Sequence, residues 1–457
     1  MIKTDSIVAL STPPGIGAIA IVRVSGEDSI KICDKIFINK KNNNLSDQKS
    51  HTVHLGKIIN NNDVLDEVLV TIFKAPHSYT GENTVEISCH GSNFIQQKLI
   101  DLLILSGARL ASPGEFTLRS FLNRKMDLNQ AEAVADLISS ENESSHKLAM
   151  QHMRKDFSND LKKLREELVK FTSLIELELD FSEEDVEFAD RKQFDSLLKK
   201  IHLELKMLVD SFNSGNVLKN GVSVAIAGKP NAGKSSLLNT LLKEDKAIVS
   251  EIPGTTRDSI EDSININGIK FRFIDTAGLR ETKDVIESKG IIKTKEKIRN
   301  SQFLIFLFDI NDTTIDEIEN TLKDFERKDL KIILVRNKTD LKIKNFDLQK
   351  KLMDRDVLEI CAIDFKSVSV LKDKLFKEIN IHNSSNNVVL SNSRHLEALN
   401  KALKAINEVQ IGLKKNLSVD LLSIDIKRSI EHIGEITGEI TNDEILGNIF
   451  SKFCIGK

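Results

Sequence analysis

The chain has 457 residues, 40% of them hydrophobic, with 65 basic against 68 acidic side chains and a formal net charge of −3. That length leaves room for two or three domains with full cores, and the balanced charge excludes a global field that would draw nucleic acid, so RNA contact must come from a local patch or a partner. Four scattered cysteines (Cys33, Cys89, Cys361, Cys454) make no CxxC pair, and no apolar run reaches the roughly 18–20 residues of a membrane span, so zinc, disulfides, a signal peptide and a membrane anchor are not expected and a cytoplasmic chain is.

Residues 1–120 read as mixed α and β, with β-branched runs at Ile19–Val24 and Val68–Phe73 between turn signals at Pro13-Pro14-Gly15, Gly81 and Pro113-Gly114. Residues 121–216 then change texture. Proline and glycine are absent from Asn129 to Phe212, and Leu161, Leu164, Leu168, Phe171 and Ile175 recur at helical spacing. The acidic stretch Ser182–Glu187 reads as a solvated turn between helices. Residues 217–380 switch to short apolar strands (VSVAIAG, KFRFIDTAG, FLIFLFDI, KIILVRNK) separated by helices, which predicts a parallel sheet. Residues 381–457 return to helical periodicity from Ser393 to Phe453. The expected fold is a multidomain α/β chain: an α+β N-terminal domain, and a discontinuous all-α domain whose two flanks enclose an inserted P-loop α/β module.

Gly228-Lys229-Pro230-Asn231-Ala232-Gly233-Lys234-Ser235 follows a strand and opens a helix that continues through Ser236, the context a P-loop requires. Backbone N–H groups there wrap phosphates at a helix N-terminus, Lys234 reaches the outer phosphates and Ser235 holds Mg²⁺. Asp275-Thr276-Ala277-Gly278 ends the next strand, where the Asp can hold a magnesium-bound water and the Gly N–H can sense the γ-phosphate. Asn337-Lys338-Thr339-Asp340 supplies a carboxylate that accepts two hydrogen bonds from a guanine edge, which adenine cannot offer. Gly254-Thr255-Thr256-Arg257-Asp258 stands between the P-loop and Asp275, where a mobile switch belongs, with Thr256 as a second Mg²⁺ hydroxyl. The order and spacing are those of Ras-like GTPases. Two places depart from that pattern. Cys361-Ala362-Ile363 replaces the usual Ser-Ala-Lys, leaving the Ala362 N–H to meet the guanine carbonyl. Leu279 stands where a glutamine would position water.

Beyond these motifs, TPPGIGAIAIVRVSG, APHSYTGENTVEISCHGS, RLASPGEFTLRSFLNRKMDLNQAEAVADLI, DTAGLRET and the terminal Cys454-Ile455-Gly456-Lys457 resemble one family along nearly the whole chain. It is the MnmE (TrmE) family of bacterial and organellar tRNA-modification GTPases. The resemblance implies a homodimer that joins the FAD-containing protein MnmG (GidA) in a heterotetramer. Together they place a carboxymethylaminomethyl or aminomethyl group on carbon 5 of the wobble uridine of certain tRNAs. A 5-formyl- or 5,10-methylene-tetrahydrofolate supplies the carbon, and glycine or ammonium the nitrogen. It also implies K⁺ ligands at Asn231, Ser250, Ile252 and Thr255, and a water-orienting role for Glu287. A folate site follows at Arg23, Glu82, Lys125 and Lys457, with Cys454 as a catalytic thiol of the modification site.

Two other readings are weighed against this one. A ribosome-assembly switch commonly carries a KH domain, yet nowhere in this chain do two glycines stand three residues apart. A stand-alone folate-dependent aminomethyltransferase would have no use for the nucleotide motifs.

Overall fold

The computed structural model describes residues 5–39, 43–61, 63–180, 191–246, 262–274, 298–299, 301–327, 330–379, 389–415, 417–441 and 443–457. Two compact units divide the chain: residues 1–139, 150–205 and 397–457 make one, and residues 140–149 and 206–396 the other.

The first unit is built on a seven-stranded sheet. Its strands are β1 (Ile7–Leu10), β2 (Ile19–Ser25), β3 (Phe37–Asn39), β4 (Thr52–Asn60), β5 (Asp63–Phe73), β6 (Thr84–His90) and β7 (Arg109–Leu110), in the order β3-β4-β5-β6-β2-β1-β7. Alternation along each strand sorts residues onto two faces. Val22 and Val24 join Val8, Val70, Ile72, Val85 and Ile87 beneath Leu99 and Leu103 of the helix Asn93–Leu105 to form the core. The opposite face carries Arg23 and Ser25, which register places beside Glu86 and Thr84 of β6 and beside Ala9 and Ile7 of β1. Phe116, from the helix Glu115–Leu122, packs with Ile7, Ala9 and Ala111 on that second face.

Helices complete the unit. Asp127 opens Leu128–Ile138 with a reciprocal cap to Gln130. Asp156–Asp180 packs along Val419–Thr437 and buries Leu161, Leu164, Leu168, Phe171 and Ile175 at the spacing read from the sequence. Full burial of each such apolar side chain is worth about 1.5–3 kcal/mol. Ion pairs Arg165–Glu439 and Lys427–Glu176 flank the seam. Gly438 ends Val419–Thr437 in the left-handed conformation, φ 81°, where a Cβ would meet Phe121 and Leu128 at 2.8 Å.

The second unit holds a six-stranded sheet of β8 (Val222–Ala227), β9 (Asp262–Ile266), β10 (Ile269–Phe273), β11 (Phe303–Asp309), β12 (Lys331–Asn337) and β13 (Val357–Glu359), in the order β13-β12-β11-β8-β10-β9. β11 lies at the centre and is buried on both faces, which explains its unbroken apolar run. The sheet corrects the expectation of a purely parallel arrangement. β9 runs antiparallel to β10, because Asn267 (φ 51°) and Gly268 (φ 83°) form a two-residue turn between them. Two consecutive left-handed residues suit the twist of a hairpin, and Asn-Gly tolerates them. Among the described residues no helix is long and apolar enough to cross a membrane.

Candidate functional site

The P-loop leaves β8 and enters the helix Lys234–Lys246. Its backbone needs residues that tolerate left-handed angles: Gly228 has φ 150°, Asn231 63° and Gly233 99°. A side chain at Gly228 would run into the Leu307 carbonyl of β11. Lys234 is folded over the loop, its Nζ donating to the carbonyls of Gly228 and Lys229 at 2.7 Å each. Burial pushes its ammonium below the usual range. Ser235 is half-buried in the first turn, and Ser236 and Asn231 are exposed. Hydroxyl and amide oxygens of this kind suit hard cations such as Mg²⁺ and K⁺.

The second half of the cradle comes from the ends of β12 and β13. Asn337 Oδ1 accepts from the Ala362 N–H at 2.9 Å, while Asn337 Nδ2 donates to the Ala232 carbonyl at 2.7 Å. Thr240 Oγ donates to the Ala362 carbonyl at 2.7 Å. The Thr339 N–H donates to Ile360, which draws the two loops together. Asp340 is exposed, and the Cys361 thiol donates to its Oδ1 at 3.3 Å. Desolvation and the Asp340 carboxylate raise the pKa of that thiol and keep it protonated. Lys338 Nζ pairs with Asp309 at the end of β11, at 3.0 Å. The structure thus gathers Asn231, Ala232, Gly233, Lys234, Ser235, Asn337, Lys338, Thr339, Asp340, Cys361 and Ala362 around one end of the sheet. Ser250, Glu251, Ile252, Pro253, Gly254, Thr255, Thr256, Asp275, Thr276, Ala277, Gly278, Leu279 and Glu287 lie outside the described residues, as does Ser182–Glu187.

A second cluster occupies the open face of the first sheet. Arg23 pairs with Glu86 at 2.8 Å, and its guanidinium lies 5.5 Å from the Tyr79 ring centre and 5.6 Å from that of Phe116. Glu82 accepts from Ser25 Oγ at 2.8 Å and from Arg119 at 3.2 Å. Lys125 is exposed and donates to the Pro76 carbonyl at 3.0 Å. The C-terminal tail reaches the same face. The Gly114 N–H donates to the Cys454 carbonyl at 3.3 Å, and Ser11 Oγ donates to the Gly456 carbonyl at 3.4 Å. Gly456, φ 101°, lies so close to the Leu10 carbonyl that a Cβ would clash. Burial, then the neighbouring Arg23 cation, lower the pKa of Lys457, and Glu86 partly offsets them. The tail thus docks at the end of β1 with Lys457 near enough to feel the charges of Arg23 and Glu86, Cys454 is exposed in the same tail, and Glu82, in the loop before β6, is tied to Ser25 of β2.

Sequence reasoning missed Thr240, Asp309, Tyr79, Phe116 and Arg119. Tyr79 is the single tyrosine of a chain without tryptophan, which was a signal in itself. The others are common residue types whose importance comes only from what they touch.

A family model described as the N-terminus of the GTP-binding protein TrmE matches residues 6–125, and one described as the MnmE helical domain matches residues 128–454. The chain belongs to the MnmE family. Among curated relatives, the tRNA modification GTPase MnmE of Flavobacterium psychrophilum is 56% identical over the full length of both chains. That of Bacteroides thetaiotaomicron is 50% identical over 99% of each. Among solved structures, Era of Aquifex aeolicus bound to GDP and AlF₄⁻ matches 40% of this chain and 66% of its own, at 27% identity and a TM-score of 0.28. As an MnmE-family protein this chain is a GTP-hydrolysing enzyme of tRNA modification.

Proposed function

We infer that this GTPase works with an FAD-containing MnmG-type partner to install a carboxymethylaminomethyl or aminomethyl group on carbon 5 of the wobble uridine, with a tetrahydrofolate carbon donor. The observation that carries this reading is the docking of the C-terminal tail at the strand beside Arg23: Gly456 lies against the Leu10 carbonyl, Ser11 Oγ donates to the Gly456 carbonyl, and the Arg23 charge reaches Lys457. Arginine and lysine at one site suit an anionic ligand, and the glutamate tail of a folate is one. Glu82 supplies the acceptor for a 2-aminopteridine edge, Lys125 a further cation, and Cys454 a thiol for the modification step.

On the nucleotide side, Asn231 to Ser236 hold the phosphates, Asp340 reads guanine, and the Ala362 N–H meets its carbonyl. Asp275 to Gly278 sense the γ-phosphate, and Ser250 to Thr256 close over it. Ser235 and Thr256 hold Mg²⁺, whose charge offsets that of the phosphates. Asn231, Ser250, Ile252 and Thr255 hold K⁺ where other GTPases use an arginine finger. Glu287 orients the attacking water, a task Leu279 cannot perform. Domain limits at 120, 216 and 380 fit this division of labour.

A homodimer formed through residues 1–120 is part of the reading. Val53, Leu55, Leu69 and Ile19 are 46–65% exposed on the sheet face that also carries Arg23, and a second copy would cover them. The decisive experiment is nucleoside analysis of tRNA from a deletion strain complemented with this chain. Return of the modified wobble uridine is expected. Unchanged unmodified uridine in a strain with normal GTPase levels would refute the reading in favour of a switch without RNA chemistry.

A further inference from the structure

Arg119 sits at the centre of a charge cluster on the helix Glu115–Leu122, with a side chain only 4% exposed. One Nη donates to the Asp5 carbonyl at 2.7 Å and to Glu82 at 3.2 Å. The other donates to the Asp5 carboxylate at 2.9 Å and to Glu115 at 3.0 Å. Arg109 engages Asp5 and Glu115 as well, each at 2.7 Å. Among the described residues, Ser25 and Arg119 are the side chains whose donors reach the Glu82 carboxylate. The loop that carries Glu82 is fastened to the same helix region: Ser120 Oγ donates to the Tyr79 carbonyl, and Asn123 Nδ2 to the Thr80 carbonyl, both at 2.7 Å.

We propose that Arg119 is a positioning residue for ligand recognition, acting through Glu82 by fixing the direction of that carboxylate. This rests on the reading of Glu82 as the acceptor for a pteridine edge. A carboxylate can receive two donors side by side only while both oxygens lack protons. A charge-assisted hydrogen bond from a planar guanidinium fixes the direction of a carboxylate, and the burial of Arg119 limits the competition of water for that bond. The groups facing Glu82 are Arg119, Ser25 and Thr80, with Asp5, Glu115 and Arg109 behind Arg119. Without Arg119 the two neighbouring carboxylates face Glu82 with one cation fewer between them. Glu82 then loses the partner that fixes its direction, and recognition weakens.

The test uses the full-length protein and calorimetric titration with 5-formyltetrahydrofolate at pH 7, for wild type, Arg119→Met, Glu82→Gln and the double variant. Arg119→Met is expected to weaken binding roughly 10- to 100-fold, the size of a lost charge-assisted hydrogen bond. The double variant is expected to bind no more weakly than Glu82→Gln alone, because the two residues act in series. Arg109→Met, which leaves the Glu82 contact in place, should bind within about threefold of wild type. Thermal unfolding followed by circular dichroism, read on each preparation, checks folding. If Arg119→Met does not fold, Arg119→Lys takes its place and should bind more weakly than wild type, with no further loss when combined with Glu82→Gln. Additive losses in the double variant, or equal losses in Arg119→Met and Arg109→Met, would overturn the proposal while leaving the folate reading intact. A wild-type chain that binds no folate would refute that reading and this proposal with it.

Discussion

The Asn337 side chain donates to the Ala232 carbonyl at 2.7 Å, tying the end of β12 to the P-loop. Its other side accepts from the Ala362 N–H at 2.9 Å, so one amide braces both the phosphate loop and the base loop. Asn337→Ala leaves a buried carbonyl and a buried N–H unpaired, at about 1–3 kcal/mol each. GDP and GTP affinity are expected to fall together by roughly tenfold or more, since neither bond involves the γ-phosphate. Fluorescent-nucleotide titrations check this. Unchanged affinity for both nucleotides would show that the loops hold themselves.

Asp340 is exposed at the mouth of this cradle, with Cys361 donating to one of its oxygens. Asp340→Asn presents an amide that complements a carbonyl at position 2 of the base. Preference is expected to move from GTP toward xanthosine triphosphate. A competition assay in which GTP still wins by the wild-type margin would falsify the guanine-reading role.

Hydrolysis is expected to run much faster in K⁺ than in Na⁺ at equal ionic strength, given Asn231 in the P-loop and Leu279 in place of a glutamine. Glu287→Ala should leave GTP affinity near wild type and slow turnover by roughly 10²–10⁴-fold. Equal rates in the two salts sink the potassium assignment. Normal turnover in the variant moves the water-orienting role to Asp284 or Glu281.

Acid should find the N-terminal sheet through Arg109. Its hydrogen bond to Asp5 is the main reason the Asp5 carboxyl lies below its usual pKa. Burial acts against the ionised form of Glu115, yet the bonds from Arg109, the Ser112 N–H and Arg119 hold that carboxyl below its usual range too. Groups depressed in the folded state contribute stability above their unfolded pKa and lose it as pH falls through the folded value. Arg109→Met weakens the depression, leaving only the Arg119 and Ser112 contributions. The acid unfolding midpoint followed by circular dichroism is therefore expected to move to higher pH, with stability at pH 7 also reduced. A midpoint that stays in place would assign no role to the pair.

The tail should serve modification and not hydrolysis. Gly456 packs on Leu10, and Lys457 lies beside Arg23, in a different compact unit from the P-loop. Cys454→Ser and deletion of residues 454–457 are expected to abolish wobble-uridine modification while K⁺-stimulated turnover stays near normal. Nucleoside content and GTP turnover are read on one preparation. Full modification without the tail contradicts this, and joint loss of both activities points to misfolding.

Much of this protein is written in short stretches of sequence. The P-loop, the Asn-Lys-Thr-Asp run and the glycine-free helical tract are legible because each is decided by neighbours within a turn or two of the chain: backbone angles, a strand feeding a helix, a stripe at three- and four-residue spacing. The antiparallel β9 is also encoded locally, in the Asn267-Gly268 turn. Other relationships have no local signature. Asn337 and Ala232 are 105 residues apart, Arg119 and Asp5 114, and Ser11 and Gly456 445. Which arginine becomes buried among three carboxylates, and which terminal lysine comes to rest beside Arg23, is settled by strand order and by the packing of Phe450 and Phe453 against Leu128 and Ala131. Burial turns an ordinary charge into a directed one, and burial exists only once distant segments have closed over it.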